Sequence, residues 1–202
     1  MSSPEAVAQD QRERIVAAMP AVIAEHGLGA TTVAHIVGAA GVARGAFYNQ
    51  FSDKHACFVA VHQHCQERLL GAFTLPCYLK EDLPSRIAAS LRAGLEFLTR
   101  EPDLARLVLI EAPAAGPDVA AHYLGWMRRY GGLLQLGALG APGTTKPPPA
   151  VESVIVGGIA GQIAQKVLAN ETASLPDLAP SLAEYSLSFY GTAAEPAYAR
   201  SL

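Results

Sequence analysis

From Arg12 to His26 the apolar side chains Ile15, Val16, Met19, Val22 and Ile23 recur at three- and four-residue intervals, the spacing that lines one face of an α-helix. The same spacing returns in later segments, and nowhere does the chain alternate apolar and polar residues as a half-buried strand does. The spacing predicts an all-α fold. Glycine and proline punctuate it. Gly27 stops the first helix, Thr31 or Thr32 caps a second that runs to about Ala40, and Gly41 ends that one. A third helix follows Val42 and carries Ala43 to Phe51. Ser52 is the expected cap of a longer fourth, from Asp53 to about Phe73. Pro20 inside the first helix predicts a kink, because it removes a backbone donor.

Beyond Phe73 the expected helices cover about 84–99, 102–112, 118–136, 151–169 and 178–189, with a turn at 113–117. The glycine- and proline-rich stretch 136–149 reads as a flexible connection. This gives two domains, 1–73 and 74–202, joined by the long fourth helix. With 202 residues, half of them hydrophobic, the chain buries roughly 70% of its unfolded surface and needs neither disulfide nor metal to fold. Cys57, Cys65 and Cys77 are too few and too unevenly spaced for a disulfide framework. No apolar run approaches the ~18 residues of a membrane span. The first fifteen residues are polar and carry no signal-peptide features, so the expected location is cytoplasmic. The net charge of −3 argues against a general nucleic-acid coat.

The informative segment is Thr31 to Lys54, two short helices joined by the tight turn Ala40-Gly41-Val42. Gly41 suits that turn because a side chain there costs ~1–2 kcal/mol. Such a unit is a helix-turn-helix, whose second helix enters the DNA major groove while the first crosses the backbone. The residues Ala24-Glu25-His26-Gly27, Thr31-Thr32-Val33, Ile36, Ala40-Gly41-Val42, Ala46-Phe47-Tyr48, Phe51 and Lys54 fall in register with one family. Over about residues 11–70 the chain resembles the N-terminal domain of the TetR family of transcriptional regulators. Four positions depart from that pattern: Ala43 lacks a capping hydroxyl, His35 replaces an acidic residue, Gln50 stands where an aromatic is frequent, and Pro20 interrupts the first helix.

The resemblance implies a DNA interface of Thr31, Thr32, Ala43, Arg44, Gly45, Phe47, Tyr48, Asn49, Gln50 and Lys54. Within it Thr32 brings a hydroxyl and helix N-terminal amides to a phosphate, and Arg44 reaches a guanine edge or a phosphate. Gly45 permits close approach, and Tyr48 and Lys54 donate to phosphates. Asn49 and Gln50 offer amides to bases or phosphates. Phe47 and Phe51 also read as core. The resemblance further implies a C-terminal small-molecule cavity, for which Arg92, Glu96, Glu111, His122, Trp126 and Tyr130 are the candidates. It implies a homodimer through the last helices, where Gly157, Gly158, Ile159 and Gly161 suit close helix packing.

The expected function is thus a homodimeric, ligand-responsive regulator, a repressor released from a palindromic operator by an effector. No nucleophile–base pair, phosphate loop or metal set supports an enzyme, and no cofactor is implied. One alternative is a helical small-molecule-binding protein whose first domain does not bind DNA. Another is a regulator triggered by thiol oxidation or a metal through Cys57, His62 and Cys65. His62 and His64 point ~200° apart on a helix and cannot share one ion. Cys57 and Cys65 lie ~12 Å apart along the helix axis, too far for a disulfide.

Overall fold

The computed structural model describes residues 3–77, 79–80, 82–138, 144–145 and 147–192. Within the connection read at 136–149, residues 139–143 and 146 lie outside the described residues. The described architecture is all-α, ten α-helices with one π turn and one 3-10 helix. Among the described residues a single two-residue antiparallel pairing joins Thr144–Thr145 to Gly191–Thr192. The chain forms two compact units, one of residues 1–67 with 103–120 and one of residues 68–102 with 121–202. The units part between residues 67 and 68, and residues 103–120 belong to the first of them.

In the first unit, α1 (Pro4–Ala30) packs on α2 (Val33–Ala40) and α3 (Arg44–Gln50). Its core joins Ile15, Met19, Val22 and Ile23 of α1 to Ile36, Phe47, Phe51, Phe58 and Val61. Helix α4 (Lys54–Cys77) begins in this unit and ends in the other. Pro20 lies inside α1, and the backbone there keeps helical angles. The one non-helical residue inside α1 is Gly27, at φ 73° and ψ 154°, a backbone region essentially closed to other residues. Met19, Val22 and Ile23, on either side of Pro20, are buried. The cap of α4 is Asp53 rather than Ser52: its carboxylate accepts the Ala56 N–H at 2.8 Å. That bond above all holds the Asp53 carboxyl below its usual range.

Also in this unit are α6 (Pro102–Arg106), a π turn (Leu107–Glu111), α7 (Ala112–Ala114) and the start of α8 (Pro117–Ala138). The sequence spacing gave no sign of the π turn, and the turn expected from Pro113 starts later because Pro113 sits in α7.

In the second unit, α5 (Leu83–Arg100) packs on α10 (Ala179–Leu187) and on the 3-10 helix Thr172–Leu178, and α9 (Pro149–Leu168) contacts both. Asp82 caps α5 by accepting the Ser85 N–H at 2.8 Å. Ile87, Leu91, Leu95 and Leu98 of α5 face inward, and Ile155, Ile163, Val167 and Leu182 are buried with them.

Candidate nucleic-acid interface

Helix α3 is seven residues long and divides by exposure. Ala46 and Phe47 are buried, whereas Arg44, Gly45, Tyr48 and Asn49 are exposed, with Ala43 at its N-cap exposed as well. Phe47, which the sequence placed in the interface, is fully buried and packs its ring against Phe51 at 5.6 Å. It is core. Ala43 makes no side-chain cap, as the missing hydroxyl requires. Arg44 and Tyr48 form an i,i+4 pair: the guanidinium donates to the Tyr48 hydroxyl at 3.4 Å and lies 5.7 Å from its ring centroid. The pair presents one cation and one phenol on the same exposed stripe.

The α2–α3 turn is held from outside the motif. Gly41 sits at φ 62° and ψ 39°, the left-handed region that favours glycine. Arg14 of α1 donates to the Gly41 carbonyl at 2.6 Å, and a Cβ on Gly41 would stand 2.6 Å from that guanidinium nitrogen. Thr32 caps α2 by accepting the His35 N–H at 3.2 Å and remains exposed. Thr31 does not join it at the surface. It is 2% exposed and its hydroxyl donates to the Gly27 carbonyl at 2.8 Å. Gln50 is half-buried and donates to the Ala8 carbonyl of α1 at 3.2 Å, so its amide fastens α3 to α1.

Lys54 has a similar structural engagement. Its ammonium donates to the carbonyls of Leu28 and Thr31 at 2.8 Å each, and of Gly29 at 3.3 Å. These carbonyls lie where α1 breaks at Gly27 and lack partners within a continued helix. A cation at a helix C-terminus also complements the helix dipole. The Leu28 N–H is accepted by the Glu111 carboxylate at 3.2 Å, and Arg106 lies 3.6 Å from the same carboxylate. Glu111, one of the cavity candidates, thus serves as a backbone anchor within the first unit. His55 and Asp118 make a second link within this unit at 2.6 Å. Arg14 and this use of Glu111 were missed in the sequence, because their partners are 27 and 83 residues away.

The thiol alternative meets the interior of the same unit. Cys57 is fully buried, 3.5 Å from the Met19 sulfur, and burial pushes its thiol up to about 12. Cys65 is buried too. A thiol of that kind is inert. His62 is 1% exposed, stacked on Phe58 and 3.2 Å from the Gln66 amide. His64 lies on the exposed side, as its ~200° offset requires. Cys77's side chain lies outside the described residues. Among the described residues no helix is long and apolar enough to cross a membrane.

In the second unit the cavity candidates differ in exposure. Arg92, Glu96 and His122 are exposed, since a charged residue on an amphipathic helix takes its solvated face. Trp126 is buried, with Arg129 over its ring at 4.3 Å. Tyr130 packs edge-on against Phe73 at 5.7 Å, and burial raises its phenol above the usual range. On α9, Gly157, Gly158 and Gly161 are exposed, whereas Ile155, Ile163 and Val167 are buried. Half-buried Ile159 is ~200° round the helix from Gly157, so it does not share the glycine face. A Cβ on Gly158 would meet the Tyr185 hydroxyl at 2.8 Å, whereas Gly157 and Gly161 have open space.

Residues 15–61 match the family model for bacterial regulatory proteins, tetR family. No curated relative matches the chain in sequence. Among solved structures, the chain is similar to the transcriptional regulator FadR from Bacillus subtilis, crystallised in complex with stearoyl-CoA, at 18% identity and a TM-score of 0.75, covering 87% of this chain and 97% of that one. It is similar to SmeT, the repressor of the Stenotrophomonas maltophilia multidrug efflux pump SmeDEF, at 16% identity and 0.71, covering 96% of each chain. A TetR family transcription regulator from Marinobacter aquaeolei matches at 17% identity and 0.68, covering 91% and 97%. At these identities the structural likeness carries the fold.

Proposed function

From the premise that this chain is TetR-like, in its helix-turn-helix and in its fold, we propose that it is a DNA-binding transcriptional regulator. It binds a palindromic operator as a homodimer, acts as a repressor, and is released by a small-molecule effector. The observation that carries this reading is the division of α3: Phe47 and Ala46 anchor it, while Arg44, Gly45, Tyr48 and Asn49 stand exposed, as does Thr32 at the start of α2. That leaves one cation, one phenol and one amide of α3 exposed for a major groove, and the Thr32 hydroxyl at the start of α2 for a phosphate. Gln50 and Lys54 support the stripe from behind through the carbonyls of α1.

For the dimer we propose the outer face of α9, where Val154, Gly157, Gly161 and Leu168 are exposed. Small residues between two exposed apolar ones let a second helix approach closely. Two copies of α3 then address successive major grooves ~34–36 Å apart. An effector shifts the DNA-bound population only by its differential affinity for the two states. Non-enzymatic, cytoplasmic action fits this role.

The test is selection of bound sequences from random duplex DNA, then titration of the selected site across a range of salt. The expected result is a palindrome with half-sites one turn apart and an affinity that falls steeply with salt. Arg44→Ala, on an exposed side chain, loses at least ~10-fold in affinity for the selected site with unchanged thermal unfolding. Unselective binding by folded, dimeric protein, or an Arg44→Ala variant of full affinity, refutes the reading.

A further inference from the structure

Helix α1 grips α3 at its end and at the turn that leads into it. At the end, the Gln50 amide donates to the Ala8 carbonyl at 3.2 Å, and the Arg12 guanidinium lies 4.6 Å from the ring centroid of Phe51, the C-cap of α3. At the turn, Arg14 donates to the Gly41 carbonyl at 2.6 Å. Residues 8 and 14 are ~9 Å apart along the α1 axis, so the two grips are well separated. The grip at Gly41 bears most directly on orientation, because Arg44 follows it by only three residues.

The turn itself supplies little to hold its shape. The last turn of α2 carries no basic residue, and Ala43 gives α3 no side-chain cap. A capping hydroxyl at that position would bond the first amides of α3 and fix where the helix begins. Arg14 brings a side chain to this turn from outside it. Asp10, one helical turn earlier on α1, lies 3.8 Å from the other terminal nitrogen of the same guanidinium and orients it. Both side chains are about half exposed or more, where an ion pair adds little to stability. The consequence of the arrangement is therefore geometric rather than energetic.

We propose that Arg14 is a positioning residue for DNA recognition: by holding the Gly41 carbonyl it sets the angle at which Arg44, Tyr48 and Asn49 meet base edges, and so governs discrimination between sites without touching a base. It stands in, from α1, for the cap that Ala43 does not supply. This role rests on the regulator reading above. Recognition contacts tolerate only ~0.5 Å and 10–20° of error, and a seven-residue helix has little length over which to absorb a shift at its start.

The experiment uses full-length protein and two duplexes at one salt concentration, the selected operator and the same duplex with both half-sites scrambled. The ratio of the two affinities measures discrimination, and phosphate contacts common to both cancel from it. Gly41 is exposed, so water takes the carbonyl released in Arg14→Met, and the variant is expected to melt within a few degrees of the wild type. Its ratio is expected to fall at least ~5-fold, the lower end of what one good base contact discriminates. The fall comes from weaker binding to the selected operator, with the scrambled duplex bound as before. Ala43→Ser installs a local cap. It should recover most of the lost ratio in the Arg14→Met background and change the wild-type ratio by less than ~2-fold.

A readout without DNA accompanies these. The Ala46 and Phe47 amides donate to the Ala43 carbonyl at the start of α3. In Arg14→Met they should exchange several-fold faster, while amides around Val61 in the core keep their rates. Unchanged exchange at α3, or an unchanged ratio in folded Arg14→Met, overturns the positioning role. So does an equal fall on both duplexes with the salt dependence reduced by about one ion, which makes Arg14 a phosphate contact. An Ala43→Ser gain of the same size in both backgrounds overturns it as well. A wild type that prefers neither duplex refutes the regulator and the positioning role together. A wild type that prefers the operator, beside an Arg14→Met variant of equal ratio, refutes the positioning role alone.

Discussion

Lys54 offers the sharpest separation between holding the fold and touching DNA. The family resemblance gives its ammonium to a phosphate, whereas the structure directs it to the carbonyls of Leu28, Gly29 and Thr31. Lys54→Met keeps the apolar stem and removes the charge. A hydrogen bond to a charged group contributes about 1.5–3 kcal/mol. Two bonds here are short and the third is long, and the group is half-buried, so water replaces part of what is lost. The expected loss is therefore about 2 kcal/mol, near the middle of that range for the group as a whole. Urea unfolding reads it as a lower midpoint at unchanged slope. For a phosphate contact alone, stability stays put and the salt dependence of DNA affinity drops by about one ion. A Lys54→Met protein as stable as the wild type, within about 0.5 kcal/mol, refutes the argument from the three carbonyls.

Phe47→Ala should cost about 3–5 kcal/mol by emptying a fully buried site, while Phe47→Leu keeps operator affinity wherever it is folded; loss of affinity by a folded Phe47→Leu would return the ring to the interface. Cys57, with its thiol pushed up to about 12 by burial, should resist iodoacetamide in native protein at pH 7 and react only on unfolding, as read by mass spectrometry. Native alkylation at the rate of a free thiol would reopen thiol sensing. The Asp118 carboxyl is held below its usual 3.8, first by the hydrogen bond with His55. A depressed carboxyl contributes stability above its unfolded value and loses it as pH falls through the folded one. The stability gap between wild type and Asp118→Asn should therefore narrow as pH falls below about 4; a gap that widens over that acid range contradicts it.

The parts legible in the sequence were those with local causes. Gly27 and Gly41 mark backbone that few other residues adopt, Thr32 caps the helix that follows it, and the apolar spacing of α1 named Ile15, Met19, Val22 and Ile23 as core. What stayed illegible was decided across long stretches of chain. Lys54 and Tyr48 look alike to a motif, yet one turns to carbonyls 23–26 residues away and the other stays exposed. Glu96 and Glu152 both punctuate apolar helices; only packing decides that the first meets water and the second is buried. The π turn at Leu107–Glu111 leaves no mark because its residues are ordinary helix formers.

Asp53 and Lys54 are consecutive, yet they finish different helices: the first closes the start of α4 through the Ala56 N–H, the second the end of α1 through its carbonyls. Neither helix end can open without disturbing the peptide link that carries the other's cap. Local opening at this corner is then a joint event rather than independent fraying. Amide hydrogens at Thr31 and at Ala56 and Cys57, though far apart in the chain, should exchange with a shared opening free energy and behave as one foldon.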